Sequence, residues 1–435
     1  MIILGKLIRK SSGRMGGWSG LRVLLLLILS VSLTSILFVR GDNPSPVGWN
    51  LSGGGFCQGT YTIFNTTLSP NPGVYAQNCQ TGTNLFNATD TGFLVNSALK
   101  LMTFGGVIHF RAQQFSIVTT ITILGNIPGT LGTGNTAYGV NLIIEGSGSG
   151  GTAFNRGSGV NGTLLVAKTV GMTMMQTSTS SSSVTCTPAS GCTGAPSMSG
   201  FQLRDLGFDG NCKAAIGFDG RMHETAILNR YTNLSFGSGC GTTTFTTALI
   251  LDGEEDTYVD RLAFDGAGTL GTGGAATDLQ WQSLLGNVNV LNSFFGGQVN
   301  LLLSAQNVEI QASTLGSIKI LQTAAATTGT VIHLSGNYLA NIIGAGIIQL
   351  NGNTASVIRF DGNAIRTTST IPLYAGAGTV QNAGFSGNTW AFGASSNWNA
   401  GGATLTKQVT AGDNHVVTGS APTNFPFTID GNGNF

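Results

Sequence analysis

The chain has 435 residues, of which 41% are hydrophobic, only 9% are charged and 66 are glycine. Aliphatic runs recur throughout, which excludes a disordered chain and supplies a long core. The net charge of +1 hides an asymmetry: Lys6, Arg9, Lys10, Arg14, Arg22 and Arg40 fall in the first 40 residues with no acidic partner, leaving 13 basic against 18 acidic residues beyond them, so the body is mildly acidic and has no basic stripe for nucleic acid.

Residues 1–40 read as a signal peptide or a membrane anchor, because a basic stretch precedes the uncharged apolar run Val23 to Val39. Positive charge before that run keeps its start cytoplasmic and places the body outside the cell or at its surface. A membrane is then a partner only through this segment, if it stays uncleaved. Residues 41–90 are rich in Asn, Thr, Gly and Pro and read as an irregular extension holding a cysteine pair. Six cysteines in an exported chain favour disulfides; of the roughly fifteen connectivities they allow, pairing by sequence neighbour suggests Cys57–Cys79, Cys186–Cys192 and Cys212–Cys240. Five Asn-x-Ser/Thr sequons begin at Asn50, Asn65, Asn87, Asn161 and Asn233.

The spacing predicts one helix, Thr91 to Met102, with Asp90 or Thr91 as N-cap and Phe93/Leu94, Ala98 and Leu101/Met102 along one stripe. Gly105-Gly106 ends it. Strands are expected at Val107–Phe110, Ser116–Leu124, Val140–Glu145 and Thr163–Val166. The Ser/Thr-rich segment 176–199 reads as a loop pinned by Cys186–Cys192. From residue 200 a phrase recurs, an aliphatic run followed by Phe-Asp-Gly or a variant: Leu206 to Asn211, Ile216 to Gly220, Leu262 to Gly266 and Ile358 to Asn363. Looser copies are His333 to Asn337, Gln349 to Asn353 and Phe385 to Asn388. Each reads as a short strand closed by a turn that tolerates positive φ. Self-similarity without intervening helices means coils of chain stacked in parallel. The fold class is therefore all-β, a right-handed parallel β-helix with a short N-terminal capping helix, spanning 91–390. Residues 391–435, with Trp398, Pro422 and Pro426, break the rhythm and read as a C-terminal cap or tail. Superposing coils at offsets of 31 or 32 residues aligns Asn229, Asp260 and Asn292 as a polar ladder.

Residues 89–152 carry Asp90-Thr91, the helix, Gly105-Gly106, a strand, Phe115-Ser116-Ile117, Ile121-Thr122-Ile123 and then Leu142 to Gly148. This order resembles the opening of the pectate-lyase superfamily domain, the parallel β-helix of pectin-degrading enzymes and phage tailspikes. The resemblance implies the β-helix architecture over about 89–390. The catalytic signatures of its polygalacturonase-like and pectate-lyase members do not occur in this sequence, and Arg111-Ala112-Gln113-Gln114 replaces the usual Pro/Gly turn. It brings no mechanism with it.

Carboxylates are scarce, so their clustering is informative. Asp252, Glu254, Glu255, Asp256 and Asp260 lie within nine residues, and Asp219, Arg221, His223 and Glu224 stand one coil earlier. Aligning Asp252 with Asp219 gathers them into one lateral patch. In that reading His223, Glu224, Glu254, Glu255 and Asp256 are the catalytic candidates, because crowded carboxylates hold an acid beside an ionised base. Asp219, Arg221, Tyr258 and Arg261 are the substrate-binding candidates. Asp252 and Asp256 are the oxygen donors for calcium, if a cation serves there; no other cofactor is implied. Solvated turns are the competing reading of the same acids, and Asp209, Asp265 and Asp361 read as turn formers before glycine. His109 and His333 lie within strands and read as structural. The function expected is an exported β-helix protein acting on or binding polysaccharide or surface glycan, as a glycoside hydrolase or polysaccharide lyase. The alternative is a non-catalytic adhesin or envelope component; a trimeric tailspike-like fibre is a third reading, which the export segment disfavours.

Overall fold

The computed structural model describes residues 58–67, 71–102, 105–124, 142–149, 162–178, 185–187, 191–193, 198–220, 226–237, 245–252, 254–264, 277–282, 287–302, 307–320, 331–340, 346–368 and 371–435. They belong to one compact unit, Trp49–Phe435. The apolar run Val23 to Val39 lies outside the described residues. Among those described, no helix is long and apolar enough to cross a membrane.

The chain is a right-handed parallel β-helix with three faces. On the first face the strands Gly106–Phe110, Leu142–Glu145, Val288–Leu291, Asn307–Gln311 and Val331–Ser335 stack in parallel with the leading halves of Gln202–Asp209, Arg230–Gly237 and Thr257–Phe264. Thr354–Asp361, Gly378–Ser386 and Ala403–Thr410 continue it. Apolar residues alternate inward, and their stacking sets the register. Ile108, Ile144, Leu203, Tyr231, Val259, Val290, Ile310, Leu334, Phe360 and Phe385 form one buried column through the molecule. The second face carries an aromatic column, with Phe208, Phe236, Phe264 and Phe295 stacked at centroid spacings of 4.8, 5.1 and 5.2 Å. The third holds Phe218, Leu249, Leu279, Val299, Ile318 and Ile348 inward.

The bend between the first two faces is a column of positive-φ residues: Asp205, Asn233, Arg261, Asn292, Ala312, Gly336, Gly362 and Gly387. At 336, 362 and 387 glycine avoids the roughly 1–2 kcal/mol that a left-handed backbone costs an L-residue, and Asp413, with φ 60°, follows them. The next residue points inward. It is Leu206, Leu234 and Leu262 in the early coils, then Ser293 and Ser313, then Asn337, Asn363, Asn388 and Asn414. These asparagines are at most 2% exposed and hydrogen-bond coil to coil. The N–H and Nδ2 of Asn363 both donate to Asn388 Oδ1, at 2.9 and 3.0 Å, and Nδ2 also donates to Leu334 O at 2.8 Å. The looser Ser-Gly-Asn copies in the sequence are the bends of this ladder. The ladder expected at Asn229, Asp260 and Asn292 is only half present. Asn292 Nδ2 donates to Asp260 Oδ1 at 3.0 Å, whereas Asp260 stands opposite Thr232, and Asn229 opens the coil at a different corner.

The helix α1, Thr91–Leu101, starts at Asp90, whose Oδ1 accepts from Gly92 N–H at 2.9 Å. It buries Leu94, Val95 and Ala98 and leaves Phe93 and Leu101 in solvent, so the apolar stripe is narrower than its spacing suggested. The expected strand Ser116–Leu124 is two strands, Gln114–Ile117 and Ile121–Leu124, because the chain turns from the second face to the third between them.

The extension expected to be irregular contains an antiparallel meander, Tyr61–Thr66, Gly73–Asn78 and Asn84–Asn87, whose first strand joins the first face beside Gly106–Phe110. Alternating apolar residues in Tyr61 to Phe64 supply the inward side. Cys79 and Cys212 are each disulfide-bonded, and their expected partners Cys57 and Cys240 lie outside the described residues. Within the Ser/Thr-rich segment, Thr185–Thr187 and Gly191–Thr193 pair antiparallel and set the backbone of Cys186 opposite Cys192.

Coiling does not stop at 390. Asn399–Ala400, Ala403–Thr410 and His415–Thr418 add another parallel layer, because Trp398 and Ala403 continue the inward columns. Phe425, Phe427 and Phe435 then pack on Trp398 and Trp390 and close the end.

Candidate functional site

Side chains flanking the inward column of the first face point outward, in two rows. One row runs Gln202, Arg230, Tyr258, Asn289, Glu309, His333 and Arg359. The other runs His109, Glu145, Arg204, Thr232, Asp260, Leu291, Gln311, Ser335 and Asp361. At about 4.8 Å per coil the described track is on the order of 40 Å long. Aliphatic side chains are the exception on it.

A cleft of about 310 Å³ opens at the edge of this face, lined by Leu228, Asn229, Arg230, Asp256 and Tyr258. Its mouth is built on strained backbone. Leu228 has φ 58° and is 60% exposed, and Asp256 has φ 51°. A bulky aliphatic residue in that conformation is uncommon, and such strain concentrates at binding and catalytic positions. Behind the mouth, buried Asn229 accepts the Phe201 N–H through Oδ1 at 3.0 Å and the Tyr258 N–H through its carbonyl at 3.0 Å. This fixes Arg230 and Tyr258 side by side on adjacent coils. Asp256 Oδ1 accepts from Asn287 Nδ2 at 3.4 Å, and Asn287 Oδ1 accepts from Asn307 Nδ2 at 3.2 Å, continuing a polar rim.

Of the residues selected from sequence, Asp256 and Tyr258 line this cleft. Glu254 and Glu255 stand one coil above Ala226 and Ile227 in a short parallel ladder that leads to the same corner. Arg261 sits at the bend instead, its Nε donating to Asp260 Oδ2 at 2.9 Å. Asp219 does not join them. It belongs to the third face, is 7% exposed, and stands opposite Ile250 rather than Asp252. The inward stacking of Phe218 on Leu249 decides that register and moves Asp252 two places on, opposite Gln282. Asp219 is therefore out of register with Asp252, the alignment on which the single patch rested. Arg221, His223 and Glu224 lie outside the described residues, as do the side chains of Asp252, Glu254 and Glu255. The calcium reading of Asp252 and Asp256 falls on the same gap; among the described residues no three His, Cys, Asp or Glu converge as a metal set.

Two histidines read as structural are held by carboxylates on the first face. His333 Nε2 lies 2.7 Å from Asp361 Oδ2 and its Nδ1 lies 3.3 Å from Glu309 Oε1, while Gln311 Nε2 donates to Glu309 Oε1 at 2.5 Å. Asp361 is thus more than a turn former. Neither pairing could be read from the sequence, because coils of unequal length separate the partners. At the other end, His109 Nδ1 lies 3.1 Å from Glu145 Oε1, and Arg204 donates to Glu145 Oε2 through Nε at 2.9 Å and Nη2 at 2.5 Å.

Burial alone would push the Glu145 carboxyl up, but hydrogen bonds from His109 and Arg204 together with their charges outweigh it and hold the group below the ordinary carboxylate range. A carboxyl depressed in the folded state contributes stability above its unfolded pKa and loses it as pH falls through the folded value. Acid titration of stability is expected to fall less steeply below about pH 4.5 in Glu145→Gln than in the parent chain. Urea unfolding at stepped pH measures it, and parallel curves would refute the coupling.

No family model matches the chain, and no curated protein does. Among solved structures the chain is similar to a DFA-IIIase of Arthrobacter chlorophenolicus A6. A point mutant of that enzyme is 12% identical over 77% of this chain and 83% of that one, with a TM-score of 0.46. The same enzyme in complex with GF2 is 12% identical over 78% and 93%, with a TM-score of 0.44.

Proposed function

We propose that the chain is an exported protein that binds polysaccharide along its first face, with the cleft at Arg230, Asp256 and Tyr258 as the principal sugar subsite. The observation that carries this reading is the cleft itself. It combines an exposed tyrosine ring with a guanidinium, a carboxylate and an amide rim on a long polar track. A sugar ring offers an apolar face to an aromatic platform and equatorial hydroxyls to charged and amide groups. A stacked parallel sheet repeats such partners at a fixed interval, which suits a repeating polymer better than a small ligand. In this proposal the catalytic groups of a hydrolase or lyase are drawn from His223, Glu224, Glu254, Glu255 and Asp256, and the pectate-lyase superfamily remains the family that the opening of the domain resembles.

Affinity measurements over a panel of neutral and uronate-containing polysaccharides test the reading. Tyr258→Ala is expected to weaken binding about tenfold, or roughly 1.4 kcal/mol, with the melting temperature unchanged. Release of reducing ends or unsaturated products separates cleavage from binding alone. A panel on which parent and variant bind equally, or neither binds, overturns it.

A further inference from the structure

Near the N-terminal end of the first face, four side chains form a relay that the sugar cleft does not use. Ser147 Oγ lies 3.3 Å from His109 Nε2, His109 Nδ1 lies 3.1 Å from Glu145 Oε1, and Arg204 clamps Glu145 Oε2. From this geometry we infer that Ser147 is a nucleophile for acyl transfer, with His109 as its base and Glu145 as the carboxylate that orients the imidazole, acting on carboxylic esters.

Each part is placed by the fold. His109, Glu145 and Arg204 are successive outward residues of one parallel ladder, so their order is dictated by register. Arg204 occupies one carboxylate oxygen and leaves the other for His109. With Glu145 ionised, its free oxygen accepts a hydrogen bond from Nδ1–H, and the lone pair of Nε2 then faces Ser147. His109 is 8% exposed, whereas Ser147 is exposed. A buried base beside an accessible hydroxyl is what the chemistry requires.

Ser147 stands on a tight turn at the end of the strand Leu142–Glu145. Gly146 is obligatory there, since a Cβ would lie 2.3 Å from the Asp205 carbonyl oxygen, and Gly148 has φ 110°. The turn is pinned by the Ser147 N–H donating to Thr163 Oγ1 at 2.9 Å. The Ser147 hydroxyl also lies 3.1 Å from the Phe110 carbonyl, so its proton has two acceptors, of which only the imidazole can carry it away. The N–H of Gly148 directly follows the nucleophile, the position from which a backbone donor serves a tetrahedral oxyanion, and it makes no hydrogen bond among the described residues.

The step balances without a cofactor. Ser147 Oγ bonds to the ester carbonyl carbon while its proton moves to His109 Nε2. The tetrahedral adduct collapses with cleavage of the acyl C–O bond, and Nε2 returns the proton to the departing alkoxide. Water then adds to the acyl-serine, giving a proton to Nε2, and the carboxylic acid leaves as Ser147 regains its hydrogen. The sum is ester plus water to acid plus alcohol.

The full chain is treated with a fluorophosphonate probe and mapped by peptide mass spectrometry, and p-nitrophenyl acetate turnover is followed in parallel. Expected are one adduct per chain on Ser147 and turnover that falls at least 100-fold in Ser147→Ala. Glu145→Gln is expected to lower kcat more than KM. An unlabelled parent chain, an adduct on another residue, or turnover unchanged in Ser147→Ala overturns the assignment. Mapping on the parent chain decides the matter even if a variant does not fold, and it is independent of glycan binding.

Discussion

Replacing Asn363 by leucine should destabilise the chain by about 3 kcal/mol, although leucine fits this column. Leu206, Leu234 and Leu262 hold the same position in earlier coils, so shape is not the obstacle. Asn363 Oδ1 accepts the Asn337 N–H at 2.9 Å and Nδ2 at 3.1 Å, and its own amide satisfies Asn388 and the Leu334 carbonyl. A single leucine strands these buried groups, each at a cost of about 1–3 kcal/mol. Substituting Asn337, Asn363, Asn388 and Asn414 together removes the amide-to-amide bonds as whole pairs, but it strands the backbone N–H groups of Ser313, Asn337, Asn363 and Asn388 and the carbonyls of Ile310, Leu334, Phe360 and Phe385. The quadruple variant should therefore lose several times the single cost. Urea unfolding of both variants tests this, and a single-site cost below about 1 kcal/mol, or a quadruple variant no less stable than the single one, would contradict the ladder's role.

Trp398→Ala should cost about 3–5 kcal/mol, the range for emptying a buried indole. Trp398 is fully buried, donates from Nε1 to Gln408 Oε1 at 2.8 Å, and meets Trp390, Phe425 and Phe385 at ring-centroid distances of 5.1, 5.0 and 5.4 Å. These rings pack over the final layer of the described solenoid. Loss of the indole should therefore also expose apolar surface at that end. Thermal melting measures the first effect and a hydrophobic dye the second. A stable variant that binds no dye would show that Phe425, Phe427 and Phe435 close the end without it.

The β-helix was legible because its causes are local. Aliphatic alternation marks which residues turn inward, and Gly-Asn or Asp-Gly marks where the chain bends. The Ser-Gly-Asn and Asp-Gly-Asn copies at 335–337, 361–363 and 386–388 do fall in one column. The other Phe-Asp-Gly copies do not share it, since Phe208 and Phe264 belong to the second face and Phe218 to the third. The phrase marks the end of a strand without saying which face the strand lies on.

The candidate site was half legible. Asp256 and Tyr258 stood out as an acidic residue and an aromatic in a chain poor in charge, and they line the cleft. Which residues would meet them was not readable. Coil length varies from 20 residues, between Val290 and Ile310, to 59, between Ile144 and Leu203. Matching similar phrases placed Asp219 beside Asp252 and joined Asn229 to Asp260, and inward packing of Phe218 on Leu249 and of Tyr231 on Val259 chose otherwise. His109 with Glu145 and His333 with Asp361 are pairs set by register across 36 and 28 residues. Composition and pattern thus determined the architecture, because bends and inward faces are properties of a few adjacent residues. Only the tertiary structure decided which outward side chains became neighbours, because that depends on how many residues each coil spends before it returns to the same face.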